Sequence, residues 1–136
     1  MNKIALDVVT PDGSVHFEEN CEIIILQTKQ GELGVMAGHV PTVAALKIGG
    51  LRVKVDGRFE YFAVTDGFVE IRPDKVTVLV QAGEFAGDID TERAVAAKER
   101  AETLLAKERD EKIDRFRAEL ALKRATNRID IAKHSS

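Results

Sequence analysis

Arg93 and Arg100 stand seven residues apart with Ala97 between them, and Arg117, Arg124 and Arg128 follow at spacings of seven and four around Ala121. On a helix such spacings put each set on one stripe. If the two stretches pair antiparallel, Arg93 and Arg100 converge with Arg124 and Arg128. Guanidinium groups gathered around small residues suit a polyphosphate, because each carries a permanent charge and a fork of donors. Glu84 and Asp90 stand close by in sequence, as acceptors for a sugar or base, although carboxylates so near also weaken phosphate binding. The same spacings equally describe a solvated charged face, with Glu92, Glu99 and Glu119 supplying helix ion pairs. Spacing by itself leaves both readings open.

Other chemistry is sparse. The densest glycine stretch, Gly31-Glu-Leu-Gly-Val-Met-Ala-Gly38-His-Val-Pro41, lacks the Lys-Ser/Thr pair that a phosphate-cradling loop carries after its last glycine. Its glycines read as backbone positions needing positive φ or close approach. His16, His39 and His134 are scattered, without spaced partners for a metal. Cys21 is alone, which excludes an internal disulfide and a multi-cysteine zinc site and suits a reducing compartment. No nucleophile with its base can be assembled, so no enzyme is expected.

The elements that must carry these residues fall into two halves. All 10 glycines and all 3 prolines precede residue 88. Residues 1–87 hold 8 Lys/Arg and 12 Asp/Glu, whereas residues 88–136 hold 12 and 11 in a much shorter stretch. Gly and Pro punctuate turns, while a run without them that is rich in Ala, Glu, Lys and Arg favours helix. The expected architecture is an all-β N-terminal sandwich over residues 1–87, followed by an α-helical antiparallel hairpin over 88–136. Leu51–Asp56 alternates, Asp56-Gly57 is a two-residue hairpin signal, and Arg58–Val64 is the return strand. Further strands are expected at 4–9, 22–29, 68–71 and 75–81, and no helix-length segment separates them as a parallel βαβ unit would require.

In the second half, Asp88 or Asp90 offers an N-cap. Ala94, Ala97, Ala101 and Leu104 form one apolar stripe, and Ala118, Leu122, Ala125, Ile129 and Ala132 form another. The alanines let two helices approach closely. Between them Lys107–Lys112 is charged throughout and has no breaker. That connector serves as a loop or stays helical; fused, residues 90–132 make a rod about 65 Å long. The longest aliphatic run, Ile23–Leu26, is far too short to span a membrane, and Asp7 interrupts the opening apolar run before it resembles a signal segment. A formal net charge of -3 gives no global basic field, so nucleic acid is not an expected partner.

Five blocks together resemble the epsilon subunit of bacterial-type rotary ATP synthase. They are Val8-Val-Thr-Pro-Asp-Gly13, Gly31–Pro41, Phe62-Ala-Val-Thr-Asp-Gly-Phe-Val-Glu-Ile71, Asp88-Ile-Asp-Thr-Glu-Arg-Ala94 and Ala118-Glu-Leu-Ala-Leu-Lys-Arg-Ala-Thr-Asn-Arg128. They run in order through nearly the whole chain. The resemblance implies a non-catalytic rotor part, peripheral on the cytoplasmic face of the membrane, whose sandwich clamps the gamma subunit and rests on the c-ring. By family location, Met36, His39 and Val40 are the implied docking positions. It also implies that the helices permit ATP hydrolysis when folded down. Extended along gamma, they brake the alpha and beta subunits of the catalytic head, which Arg115, Arg117, Lys123 and Arg124 would meet. No cofactor is required. Some members bind ATP in the folded hairpin as a regulatory ligand, and the pattern carried over places it at Glu84, Ile89, Asp90, Arg93, Arg100, Arg124 and Arg128, with Ala94, Ala125 and Asn127 completing the motifs. A free-standing ATP-binding sensor module is the alternative.

Overall fold

The computed structural model describes residues 2–107 and 114–135. Ten strands come first: β1 (Ile4–Thr10), β2 (Gly13–Cys21), β3 (Ile23–Thr28), β4 (Gly31–Val35), β5 (Thr42–Leu46), β6 (Gly49–Val55), β7 (Arg58–Val64), β8 (Gly67–Ile71), β9 (Lys75–Val80) and β10 (Gly83–Phe85). A 3-10 turn, Ala86–Asp88, leads to helices α1 (Thr91–Ala106) and α2 (Arg115–Ala132). The strands pair in the order β10-β7-β6-β3-β5-β8-β9-β1-β2, with β4 on β3. All ladders are antiparallel except β1 with β9. The ends of this path curl together, and His16 of β2 packs on Phe62 of β7 with ring centroids 4.6 Å apart. The sheet is thus a sandwich closed nearly to a barrel.

Alternation explains the core. Ile4, Leu6 and Val8 of β1 point inward with Ile24 and Leu26 of β3, Leu51 and Val53 of β6, Val69 and Ile71 of β8, and Val76 and Val78 of β9. Each strand donates every second side chain, as a pleat with a period of two requires. The core is composed wholly of residues from the first 80 positions, so it does not depend on the helices. Asp56 and Gly57 turn β6 into β7 with φ of 50° and 79°, the pair of positive values that a tight hairpin needs.

Several expectations need correction. The polar segment 13–21, without alternating aliphatics, is a strand, because backbone pairing with β1 is enough to hold it at a sheet edge. Within the Gly31–Pro41 block the first five residues form β4 against β3, and only the remainder turns. β1 and β9 pair in parallel although they lie far apart in sequence, a contact that no local βαβ unit encodes. Of the charged connector, Glu108–Lys112 lies outside the described residues.

Helix α1 starts at Asp90, whose carboxylate accepts the Arg93 N–H at 3.0 Å, so Asp88 is not the cap. Asp114 caps α2 in the same way through Arg117 N–H at 3.1 Å. The helices meet through small residues: Ala94 and Ala101 are buried on α1, and Ala118 and Ala125 on α2. Leu104 stays exposed, and the last buried position of α2 is Ile131 rather than Ile129. That shift has a cause in packing, since the final turns of α2 face the sandwich as well as α1.

Candidate functional site

The C-terminal half of α2 lies on the outer edge of β6 and β7. Asn127 Nδ2 donates to the Gly49 carbonyl at 2.9 Å. Ile131 joins Ala63, Ala86 and Ile89 in a second small apolar cluster, flanked by Tyr61 and Ala132. Gly50 makes room for it: a Cβ there would lie 2.7 Å from Ile131 Cδ1. One residue past the helix cap, the imidazole of His134 stacks on Tyr61, with centroids 4.0 Å apart and planes 11° from parallel. His134 is therefore held against the sandwich.

Beside this seam a cleft of about 290 Å³ opens between hairpin and sandwich. Ala63, Val64 and Ala82 form an apolar floor, and Arg93, Arg124, Arg128 and Asn127 overhang it from the helices. The start of α1 thus meets the end of α2, the antiparallel arrangement that brings arginines distant in sequence together. Glu84, in β10 opposite Ala63, enters the same cleft. Its carboxylate is already engaged. Arg128 Nη2 donates to Glu84 Oε2 at 3.0 Å, and Nε sits 2.6 Å from Oε1 in a Coulombic contact without hydrogen-bond alignment. Among the described residues neither Arg93 nor Arg124 has an ion-pair partner. The cleft therefore presents two arginines not tied to a carboxylate, a third held by Glu84, and an apolar wall. Chemically this suits an anion joined to a flat apolar group.

Glu84, Arg93, Arg124 and Arg128 share the cleft, while the other three sequence candidates are placed elsewhere. Ile89 is buried in the apolar seam under Ile131. Asp90 is engaged as the α1 cap. Arg100 is exposed two turns further along α1 and does not line the cleft.

The candidate docking turn follows β4. His39 N–H bonds Met36 O at 3.2 Å, and Gly38 N–H reaches Pro73 O at 2.8 Å, tying this turn to the one between β8 and β9. His39 Nδ1 lies 2.7 Å from Val40 O. Met36 and Val40 are 58% and 70% exposed, so they project while His39 braces. Sequence reading missed their neighbours. Val43 and Phe68, 72% and 58% exposed, lie on the outer face of β5 and β8, and Leu79 of β9 pairs in register with Phe68. The available signal was alternation: inward Val69 and Ile71 force Phe68 outward, where a solvated strand would carry a polar residue.

Two titrations are perturbed elsewhere. Burial, then the charges of Glu18 and Glu60, push the Cys21 thiol up to about 12. Glu22 is held below the usual carboxylate range by its hydrogen bond from Lys3, and further by the Gly57 amide. Among the described residues no three His, Cys, Asp or Glu side chains gather as metal ligands, and no helix is long and apolar enough to cross a membrane.

Residues 3–86 match the family model described as the ATP synthase Delta/Epsilon chain beta-sandwich domain, and residues 88–133 match that of its long alpha-helix domain. The chain is 55% identical over 134 residues to the ATP synthase epsilon chain of Macrococcus caseolyticus, covering 98% of both. It is 53% identical over 133 residues to that of Staphylococcus aureus strain JH9, again covering 98% of each. Among solved structures, a chain of the Euglena gracilis mitochondrial ATP synthase (OSCP/F1/c-ring) superposes with a TM-score of 0.80 at 28% identity, covering 97% of this chain and 82% of that one. A chain of the Tetrahymena thermophila mitochondrial ATP synthase central stalk and c-ring shares the fold, with a TM-score of 0.56 at 15% identity, covering 97% and 95%.

Proposed function

The chain belongs to the ATP synthase delta/epsilon chain family, as a non-catalytic epsilon-type subunit, and from that premise we propose that it is a rotor element whose helical hairpin restrains ATP hydrolysis in response to ATP. The observation that carries the nucleotide reading is the cleft in which Arg93, Arg124 and Arg128 converge from two helices over an apolar sandwich wall. A base lies against Ala63, Val64 and Ala82, while the phosphates take the guanidinium groups. Because the cleft exists only when the hairpin lies on the sandwich, a nucleotide there stabilises the folded-down state by its differential affinity. With the hairpin released and extended, the basic residues Arg115, Arg117, Lys123 and Arg124 are carried to the acidic alpha and beta subunits.

The sandwich is the docking body. Met36 and Val40 on the braced turn, continuous with Val43, Phe68 and Leu79, present apolar groups that a gamma subunit and c-ring would cover. On this reading the subunit is a peripheral component at the membrane surface, on the cytoplasmic face in a bacterium. A sandwich with its own closed core suits the task, because it transmits force without relying on the mobile regulator.

Isothermal titration with ATP, repeated on Arg93→Ala, tests the site. Loss of one charge-assisted contact weakens binding on the order of tenfold or more. Equal affinity in the two proteins would remove Arg93 from the site, and no heat with either would leave the hairpin answering to something other than ATP. The division of labour is tested by reconstituting residues 1–87 with the remaining subunits: assembly is retained and ATP hydrolysis is faster than with the full chain.

A further inference from the structure

The cleft already contains an anion. We propose that Glu84 is a built-in counter-ion whose pair with Arg128 latches α2 to the sandwich without nucleotide, and that an incoming polyphosphate must displace it. The ligand half of this inference rests on the nucleotide reading above; the latch half does not.

The geometry supports both halves. Glu84 belongs to β10 and Arg128 to α2, 44 positions on, so their contact crosses the boundary between sandwich and hairpin. Glu84 is fixed by strand pairing to β7, and Arg128 follows Asn127, which is anchored on Gly49. Both backbones are therefore held on either side of the seam, which keeps the two side chains within reach of each other. Both are also shielded, the Arg128 side chain 26% and that of Glu84 33% exposed, so the pair is screened less than a surface bridge. Glu84 occupies the Nε/Nη2 edge of Arg128, through one hydrogen bond and one close charge contact, an edge that a phosphate would use. A guanidinium cannot offer the same fork to both, and a carboxylate left beside a polyphosphate repels it. Exchange of Glu84 for phosphate satisfies both constraints. The fold-down state then has two modes, one held by an internal carboxylate and one by an external anion.

The test uses the full chain and the rate of tryptic cleavage after Arg117 and Lys123 of α2, sites that every variant keeps. That rate follows the open population when reclosing is fast. Without nucleotide, Glu84→Gln, an isostere that keeps the strand, raises cleavage on the order of tenfold. The charge-swapped double variant Glu84→Arg/Arg128→Glu restores wild-type protection without nucleotide. With saturating ATP, Glu84→Gln and wild type are cleaved equally, because the bound state no longer uses Glu84. Unchanged cleavage of nucleotide-free Glu84→Gln would overturn the latch, as would a swap that fails to restore protection in a chain with normal sandwich melting. If Glu84→Gln stays about tenfold more open under saturating ATP, displacement is wrong and Glu84 remains paired in the bound state. Failure of ATP to bind the wild type removes the nucleotide reading and the displacement with it, while the nucleotide-free comparison still decides the latch.

Discussion

Ile131→Ala isolates the apolar part of the seam between hairpin and sandwich. Ile131 is buried against Ala63, Ala86 and Ile89, and its δ-carbon fills the space left by Gly50. Truncation removes three carbons, which at about 0.8 kcal/mol each amounts to roughly 2.4 kcal/mol of lost transfer energy. That is an upper value, because an undocked α2 still shields part of the side chain. Converted at about 1.4 kcal/mol per decade, the opening equilibrium shifts by roughly 10- to 60-fold. The sandwich core contains no part of Ile131, so its thermal transition stays near that of the wild type. Most of the stability of a protein helix comes from its tertiary packing, so α1 and α2 are weakened once released and the open hairpin is a protease substrate. The assay is the initial rate of tryptic cleavage in α2 at 25 °C, with Val95→Ala on the exposed side of α1 as the control. Cleavage within twofold of wild type would refute the reasoning, because it would mean that the seam does not hold the hairpin down.

Three further outcomes follow from other parts of the molecule. Gly67→Ala lowers the melting temperature of the sandwich by at least the equivalent of about 1–3 kcal/mol, because a Cβ there would run into the Leu79 backbone carbonyl, which has no slack; unchanged melting would contradict the close β8–β9 approach. Cys21 resists alkylation in the native protein at neutral pH, and its protonated state in the fold makes stability fall as pH rises from about 9 towards about 12. The sign follows from the raised folded-state value: its contribution is intact below the unfolded pKa and is lost as pH climbs through the folded one. Cys21→Ala flattens that alkaline limb in pH-dependent denaturation, and an equally steep limb would assign it to another group. Phe68→Glu, on the exposed face of β8, leaves the isolated chain folded and abolishes co-purification with a gamma-type stalk subunit; retained co-purification would move the docking surface elsewhere.

The strand pattern was legible wherever hydrophobic alternation was strong. Leu51–Asp56 and Arg58–Val64 are found as β6 and β7 with the Asp56-Gly57 turn between them, because turn chemistry and pleat period are local properties. Segment 13–21 was not legible: an edge strand that buries little carries no periodic signal. In the helices, spacing put Arg93, Arg124 and Arg128 on stripes, and the alanines Ala94, Ala101, Ala118 and Ala125 implied close antiparallel packing. That much is contained in a period of 3.6 residues. It could not separate a ligand site from a solvated face, because either outcome has the same spacing.

Tertiary structure decided the rest. It paired Glu84 with Arg128, a contact between positions 44 apart that no local pattern encodes. It moved Ile89 into the seam, gave Asp90 to the α1 cap and left Arg100 outside the cleft, since orientation about a helix axis is fixed only once the helix has a surface to pack on. The notch at Gly50 and the stacking of His134 on Tyr61 belong to the same class. Residue types and their periods determined which elements form and which charges line up along them. Docking α2 on β6 and β7 determined which of those charges face one another, because that choice is made by packing between distant segments.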